Sequence, residues 1–582
     1  MRFSELSLYF ERLEVTSSRL ALIDILSDLF KHSSASEIEK IVYLTQGRIA
    51  PFFEATEIGM AEKTVASAIA ASLSIKRDEV LGIYSKLGDM GLAMQSLKSK
   101  IIHSASSGQK SKITVSEVFE ILKIIAKTSG EGTVEKRQTL LSDLLGKMDS
   151  LSAKFLVRIP LGNLRLGIGD PTILDGLALA KFNDRAKRKL LEGAYNRTSD
   201  LGLIAKTLWS GGLSAVEKLK VMVGKPIRSE LCERLPTPQK VIEKMQTVDA
   251  QYKYDGFRVQ IHLDRTRKQV KMFSRNLESM THMFPELIKA TLSQVKAKTA
   301  ILDTEALAYN PESEEFLPFQ ETTKRRRKYG IAEIAKTLPL KAFVFDILYK
   351  DGKSLIDTSL KERLKILRET IKEDPTEGSG QVLIVSKTSE ISDAKTLSLM
   401  LEDAISKGLE GVVVKKIDSL YEAGGRNFNW VKLKRHSDGE LQDTIDCVVL
   451  GYIFGKGKRT AFGAGALLVG VYDDVKDEFV TVSKIGTGLT DEEWQEIHKR
   501  ADKIKVDHKP ARVNSVIEPS VWIRPSIVIE ILADEITISP IHTARYALRF
   551  PRLVSFRTSD KKPEDSTSVK ELIEMYRQQG KK

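Results

Sequence analysis

The stretch QYKYDGFR, residues 251–258, decides how the chain is read. Lys253 stands between Tyr252 and Tyr254, one step before Asp255-Gly256, and Arg258 closes the run. A lysine becomes a nucleophile only after losing its proton, which a desolvated site or nearby positive charge favours. The aromatic flanks and Arg258 supply candidates for both. Asp255-Gly256 marks a tight turn that returns Arg258 to the side of Lys253. An arginine in that place suits phosphate or ribose. Taken alone, the octapeptide fits a charged strand end equally well. The chemistry at the right distance along the chain must decide.

Working outward, strand-like runs surround it: FRVQIHL, KQVKMFS, AILDTEALAY, KAFVFDILY, GVVVKK and WVKLKR, with SLKERLKILRETI as a helix between them. This is the pattern of a mixed α+β domain over residues 216–436. Each run carries polar groups. Arg275 ends the second strand. Asp303 and Glu305 alternate along a strand and so share a face. Phe345 and Asp346 are expected at a strand end, and Glu410 precedes a β-branched run. Arg426, Lys432 and Lys434 again share a face. Singly, each is more often core or a solvated charge; six such pieces in one order are not. Gly-Ser-Gly at 378–380 and Ser-Asp-Gly at 437–439 look like turns, and KRRRK at 324–328 is a charge run that reads as a solvated or phosphate-facing loop.

Residues 1–215 read as all-helical. Leu6, Phe10, Leu13, Leu22, Ile25, Leu26 and Leu29 fall at helical spacing, and KTVASAIAASL and SEVFEILKIIAKTS repeat the pattern. Asp170-Pro171 reads as a cap and first-turn proline. The glycines and arginines before it (Arg158, Arg165) fit either a phosphate site or a tight inter-helix turn. Residues 437–582 are strand-rich, with one helix marked by a capping box from Thr490 to Glu493. That suits a small closed barrel of the OB type.

At roughly 150 residues per domain, 582 residues allow three or four domains. Lys+Arg exceed Asp+Glu by 91 to 78, a net charge of +13 that favours a polyanionic partner such as nucleic acid. Two distant cysteines and eight scattered histidines build neither a disulfide framework nor a zinc site. The compartment reads as reducing and the location as cytoplasmic. No apolar leader or membrane-length stretch is present in the sequence.

The ordered residues resemble the motifs of the covalent nucleotidyltransferases: ATP-dependent DNA ligases, RNA ligases and mRNA capping enzymes. The fuller resemblance, covering the whole chain, is to ATP-dependent DNA ligases of the archaeal and eukaryotic replicative type. NLRLGIGDPTILDGLALA is similar to a signature of that family's helical DNA-binding domain. GYIFGKGKRTAFGAGALLVGVYD is similar to the opening of its OB domain, and RFPRLVSFRTSDKKPEDST, 549–567, to its last motif. The resemblance implies a helical DNA-binding domain, an α+β adenylation domain and an OB-fold domain. It implies sealing of nicks in duplex DNA, in replication, repair and recombination, through a lysine-AMP and then an adenylated DNA. An RNA ligase or capping-type enzyme is the alternative, opposed by the long helical N-terminus; a non-catalytic DNA-binding scaffold is opposed by the complete motif set.

By resemblance Lys253 is the nucleophile. Arg258 and Arg275 contact ribose and phosphate, Glu305 binds ribose or metal, and Phe345 stacks on the base. Glu410 coordinates the divalent ion, while Arg426, Lys432 and Lys434 draw in the triphosphate. Arg549 and Arg552 orient the leaving pyrophosphate. ATP is the implied cofactor with Mg²⁺, Mn²⁺ being a substitute; nicked duplex DNA is the implied partner of a monomer, with a sliding clamp as a further candidate. Two departures stand out. Gln251 replaces the usual glutamate at the position that reads the base, so preference for adenine is expected to be altered or relaxed. The last motif is one residue longer between Arg557 and Asp560-Lys561.

Overall fold

A computed structural model describes residues 1–582 apart from 105–111, 236, 310–315, 318, 328, 373–380, 407–408, 435–443, 455–462, 487–488, 540, 550, 558–560 and 580–582. The expected turns at 378–380 and 437–439 fall outside the described residues. The chain divides into two units, Met1–Arg435 and His436–Lys582.

The first unit begins with helices. The run expected from Phe3 onward breaks into Phe3–Glu14 and Arg19–Lys31, because Ser18 accepts from the Ala21 amide and starts a second helix. Phe3, Leu6, Phe10, Leu13, Leu26 and Leu29 are fully buried, as their spacing requires. Helix Asp170–Phe182 packs on Arg19–Lys31 through Gly176, where a Cβ would stand 2.9 Å from that of Leu26. The cap of this helix is Gly169, with Asp170 and Pro171 inside the first turn. The segment forms a turn between helices, and both of its arginines meet carboxylates. Arg158 is 3% exposed, bonded to Glu14 at 2.7 Å and Asp89 at 3.1 Å, and Arg165 also faces Asp89. Asp170, in the first turn, accepts from Gln46 and Tyr195.

The rest of the unit holds two sheets. The five-stranded sheet runs Leu231–Arg234, Arg426–Lys434, Gly411–Lys416, Val248–Lys253, Thr388–Ile391 in spatial order. The six-stranded sheet runs Gln269–Ser274, Phe257–Asp264, Thr299–Ala308, Leu340–Lys350, Lys353–Ser354, with Leu383–Val385 parallel to Leu340–Lys350. Val259, Ile261, Leu302 and Val344 lie at 0% exposure beneath helices Pro285–Gln294 and Leu360–Thr370. Each such side chain contributes about 1.5–3 kcal/mol. The chain crosses from one sheet to the other at Tyr254–Gly256, which places QYKYDGFR at their junction. Gly256 is required there: a Cβ would lie 2.4 Å from the Ala306 carbonyl oxygen.

The charge run at 324–328 is not a solvated loop throughout. Arg325 is fully buried and donates to Glu286 at 2.5 Å and to the Leu338 carbonyl at 2.7 Å. Arg326 pairs with Glu278, and residue 328 lies outside the described residues. Asp346 is mid-strand rather than terminal, in the run Leu340–Lys350.

The second unit is a curled, half-barrel sheet of the OB type, built on Ile445–Ile453, Ala466–Asp473, Glu478–Ile485 and Val521–Leu532. Helix Asp491–Asp502 carries the expected Thr490–Glu493 capping box and buries Trp494, Ile497 and Ala501. A second helix, Val569–Gln578, was not expected from the pattern, although Ser568 and Glu571 form a capping box there. Only Leu572 of that helix is buried, which leaves a faint periodicity.

Candidate active site

Antiparallel pairing of Val248–Lys253 with Gly411–Lys416 sets Lys253 opposite Gly411, and the Glu410 amide donates to the Lys253 carbonyl at 3.2 Å. The register therefore brings Glu410 to the lysine: Lys253 Nζ lies 2.5 Å from Glu410 Oε2. From the other sheet, Phe257–Asp264 pairs with Thr299–Ala308, so Arg258 stands opposite Glu305. Lys253, Glu410, Arg258 and Glu305 all border one cavity of about 490 Å³.

The cavity also draws in Gln251, Arg275, Phe345, Arg426 and Lys432. Eight of the expected residues besides Lys253 thus converge from both sheets. The Lys434 side chain lies outside the described residues. Arg549 and Arg552 belong to the second unit, where Arg552 pairs with Asp534 at 2.9 Å and Arg549 lies 3.7 Å from Glu535. In the same unit Arg557 and Lys561 approach Asp446, and Asp560 lies outside the described residues.

The electrostatics correct one expectation. Lys253 was expected to be prepared for attack by desolvation or by positive neighbours. Burial does act to lower its pKa, but the ion pair with Glu410, aided by Glu305 and Asp255, outweighs it and the net shift is upward. Lys253 rests as an ammonium. Glu305 is pushed up to about 7, chiefly by desolvation, with Lys253 and Arg258 opposing and Asp303 adding to the rise.

Arg258 is held rather than loose. Its guanidinium grips the fully buried Asp303 at 2.5 and 3.1 Å and reaches the Glu230 carbonyl at 2.9 Å. It also lies 5.3 Å from the centre of the Phe345 ring. Asp303 is therefore the anchor of Arg258, not a ligand-facing carboxylate. Sequence reasoning missed Lys415 and Trp430. Lys415 is 1% exposed, with Nζ 4.0 Å from the Trp430 ring and 4.7 Å from that of Phe345. Its signal was the two-residue period that puts Val413 and Lys415 on one cavity-facing side. Seven lysines and arginines line the cavity against three glutamates, a balance suited to a polyphosphate.

Two observations bear on what the cavity holds. Trp430 is 2% exposed and its indole N–H has no acceptor among the described residues, so an acceptor on a bound molecule would complete it. No cluster of three metal-ligating side chains exists among the described residues. A pair of carboxylates, Glu305 and Glu410, nevertheless suits Mg²⁺, which keeps waters and substrate phosphate oxygens in its shell.

Residues 2–178 match the family "DNA ligase N terminus", 229–434 "ATP dependent DNA ligase domain" and 460–561 "ATP dependent DNA ligase C terminal region". A probable DNA ligase of Dictyoglomus turgidum is 46% identical over 588 residues, spanning 100% of this chain and 98% of that protein. A DNA ligase of Sulfolobus acidocaldarius is 39% identical over 602 residues, spanning 100% and 99%. The solved structure Pmar-Lig_PreS3 aligns with a TM-score of 0.53 at 17% identity, covering 95% of this chain and 99% of that one, a likeness of fold. With a cation-lined cavity assembled at the junction of two sheets and these relatives matched from end to end, the chain belongs to the ATP-dependent DNA ligase family.

Proposed function

We propose that Lys253 is the residue through which this ligase carries AMP from ATP to the 5′-phosphate of a nick. The observation that carries the reading is Lys253 Nζ held 2.5 Å from Glu410 inside a cavity lined by Arg258, Arg275, Arg426 and Lys432. Lys253 Nζ gives up its ammonium proton and attacks the α-phosphorus; a P–N bond forms, the bond to pyrophosphate breaks, and a second proton leaves Nζ for solvent. The nick phosphate oxygen then attacks the same phosphorus, breaking the P–N bond as Nζ regains a proton. The 3′-hydroxyl finally displaces AMP from the adenylated strand. The surrounding cations position the phosphates in line and neutralise charge, the main task in phosphoryl transfer. Phe345 offers a face for the base and Gln251 an edge. Glu305 and Glu410 would hold Mg²⁺, or Mn²⁺ in its place. When bound there, the ion would neutralise α-phosphate charge and weaken the hold of both carboxylates on the Lys253 proton. In the second unit, Arg549 and Arg552 are proposed to meet the leaving pyrophosphate.

Incubation with α-labelled ATP and Mg²⁺ tests this: an acid-labile adduct on the wild-type chain supports it, and absence of any adduct refutes it. The enzyme is further proposed to act in the cytoplasm as a monomer, and a sliding clamp remains a candidate partner. Among the described residues, no helix is long and apolar enough to cross a membrane. Grip on DNA is proposed to run through backbone phosphates, as the charge of +13 suggests. Raising salt from 50 to 200 mM is then expected to weaken binding to a nicked duplex by more than about tenfold, with little dependence on its sequence. Fluorescence anisotropy on two unrelated duplexes measures both.

Glu305 gives a stability prediction whose sign is fixed. Its folded pKa of about 7 lies above the ordinary glutamate value. Folding therefore favours the protonated form, and that contribution is present at low pH and lost as pH rises through about 7. Glu305→Gln is expected to melt above wild type at pH 8.5, with the advantage reduced to less than half at pH 5.5. Differential scanning fluorimetry at the two pH values reads this directly.

A further inference from the structure

By the family resemblance Gln251 stands where an acidic side chain would accept a hydrogen bond from the base, and an amide can present either a donor or an acceptor. A freely turning amide would serve adenine, whose six-position is an amino donor, and guanine, whose six-position is a carbonyl acceptor. The structure does not leave this amide free to turn. Gln251 is 2% exposed, and its Nε2 donates to Asp249 Oδ2 at 2.9 Å. Asp249 lies two residues earlier on the same strand and hence on the same face. It is itself 4% exposed and sits opposite Lys415 across the ladder. Desolvation pushes the Asp249 carboxyl up to about 6, with Lys415 and a hydrogen bond from Gln251 holding it down. Above neutrality it is a carboxylate, which can only accept.

A carboxylate acceptor demands the amino side of the amide. The carboxamide is planar, so fixing one N–H on Asp249 fixes which way the group faces, and Oε1 is then the acceptor that Gln251 can offer to the cavity it lines. Resting on the assignment of this cavity to the nucleotide, we propose that Asp249 is a positioning residue for base selection, which pins Gln251 as an acceptor and keeps the enzyme selective for a 6-aminopurine. The Asp249–Gln251 pair then does what a single glutamate would do, and the substitution at 251 does not relax the choice of base. Guanine would set its carbonyl against the Gln251 carbonyl, with neither group able to donate.

The test compares kcat/KM for protein nucleotidylation with ATP and with GTP at pH 8. Asp249→Ala and the near-isosteric Asp249→Asn both release the amide, and each is expected to lower the ATP-to-GTP ratio by about tenfold, the worth of one buried hydrogen bond. The double variant Asp249→Ala/Gln251→Glu carries an acceptor that needs no partner and is expected to recover the wild-type ratio. General damage to the fold would lower both nucleotides alike and leave the ratio unmoved. Gln251→Ala separates the two ways of failing. If it changes the ratio while both Asp249 variants do not, the role of Asp249 is overturned. If Gln251→Ala itself leaves the ratio unchanged, Gln251 does not meet the base, and the reading of the cavity's base edge falls with the proposal.

Discussion

Lys253→Ala is expected to abolish the covalent adenylate and to lower joining of an ordinary nick by at least about 10⁴-fold, since the proposed route for AMP into DNA runs through that nitrogen. Lys253→Arg sharpens the test. The guanidinium keeps a positive charge facing Glu410 but does not lose its proton at working pH. It therefore preserves the 2.5 Å ion pair in kind while removing the nucleophile. If the role of Lys253 were electrostatic, the arginine variant would retain much of the activity; with Lys253 as nucleophile it is as inactive as alanine. The measurement is transfer of α-labelled AMP to protein, followed on a denaturing gel. A nick whose 5′-phosphate is already adenylated supplies the control, because its sealing needs no new P–N bond. Both variants are expected to seal it, which shows an intact DNA-binding surface and a folded cavity.

The resting ammonium of Lys253 explains why its neighbours matter beyond holding substrate. The carboxylates that suit a divalent ion are the ones that raise the lysine pKa in its absence. A divalent ion held there, as proposed, would compete with Lys253 for the same negative charge.

Much of this was legible in the sequence because it lies in strands. The two-residue period fixes which residues share a face, so Asp303 and Glu305, or Arg426 and Lys432, could be paired before any coordinates. The strand limits FRVQIHL, AILDTEALAY and KAFVFDILY hold to within two residues. What the period cannot give is the partner across the ladder. Asp303 and Glu305 share a face, yet one is consumed by Arg258 and the other borders the cavity. Lys415 escaped notice because a lysine in VVVKK reads as the frayed end of a strand. It is buried only because Phe345 and Trp430, 70 residues before and 15 after, supply aromatic faces for its charge. Arg158 and Arg325 misled for the same reason: a cation in a glycine-rich or basic run reads as exposed until its carboxylate arrives from a distant segment.

That dependence on distant partners sets the second large effect. Asp346→Ala is expected to destabilise the adenylation fold by about 3–5 kcal/mol, the cost of leaving a buried charge without its counter-ion. Arg363 and Asp346 are both fully buried and meet through two bonds, Nε to Oδ1 at 2.8 Å and a terminal nitrogen to Oδ2 at 3.1 Å. Arg363 also donates to the Thr358 carbonyl at 2.6 Å and the Ser419 carbonyl at 3.3 Å. One guanidinium thus ties strand Leu340–Lys350 to the loop before helix Leu360–Thr370 and to the segment after Gly411–Lys416. Asp346 follows Phe345 at a break in the ladder, where Asp346 pairs with Asp303 and Val344 with Thr304, so the anchor sits beside the ring that borders the cavity. Losing it is expected to open strand Leu340–Lys350 to hydrogen exchange at low denaturant while the N-terminal helices stay protected, because stability is local in a chain with several cores. Exchange mass spectrometry on Asp346→Ala resolves the two regions. Replacing both partners with apolar residues of similar size should restore much of the protection, since the penalty arises from the orphaned charge and not from the missing attraction. If the single variant leaves that strand as protected as wild type, the ion pair is not what anchors it.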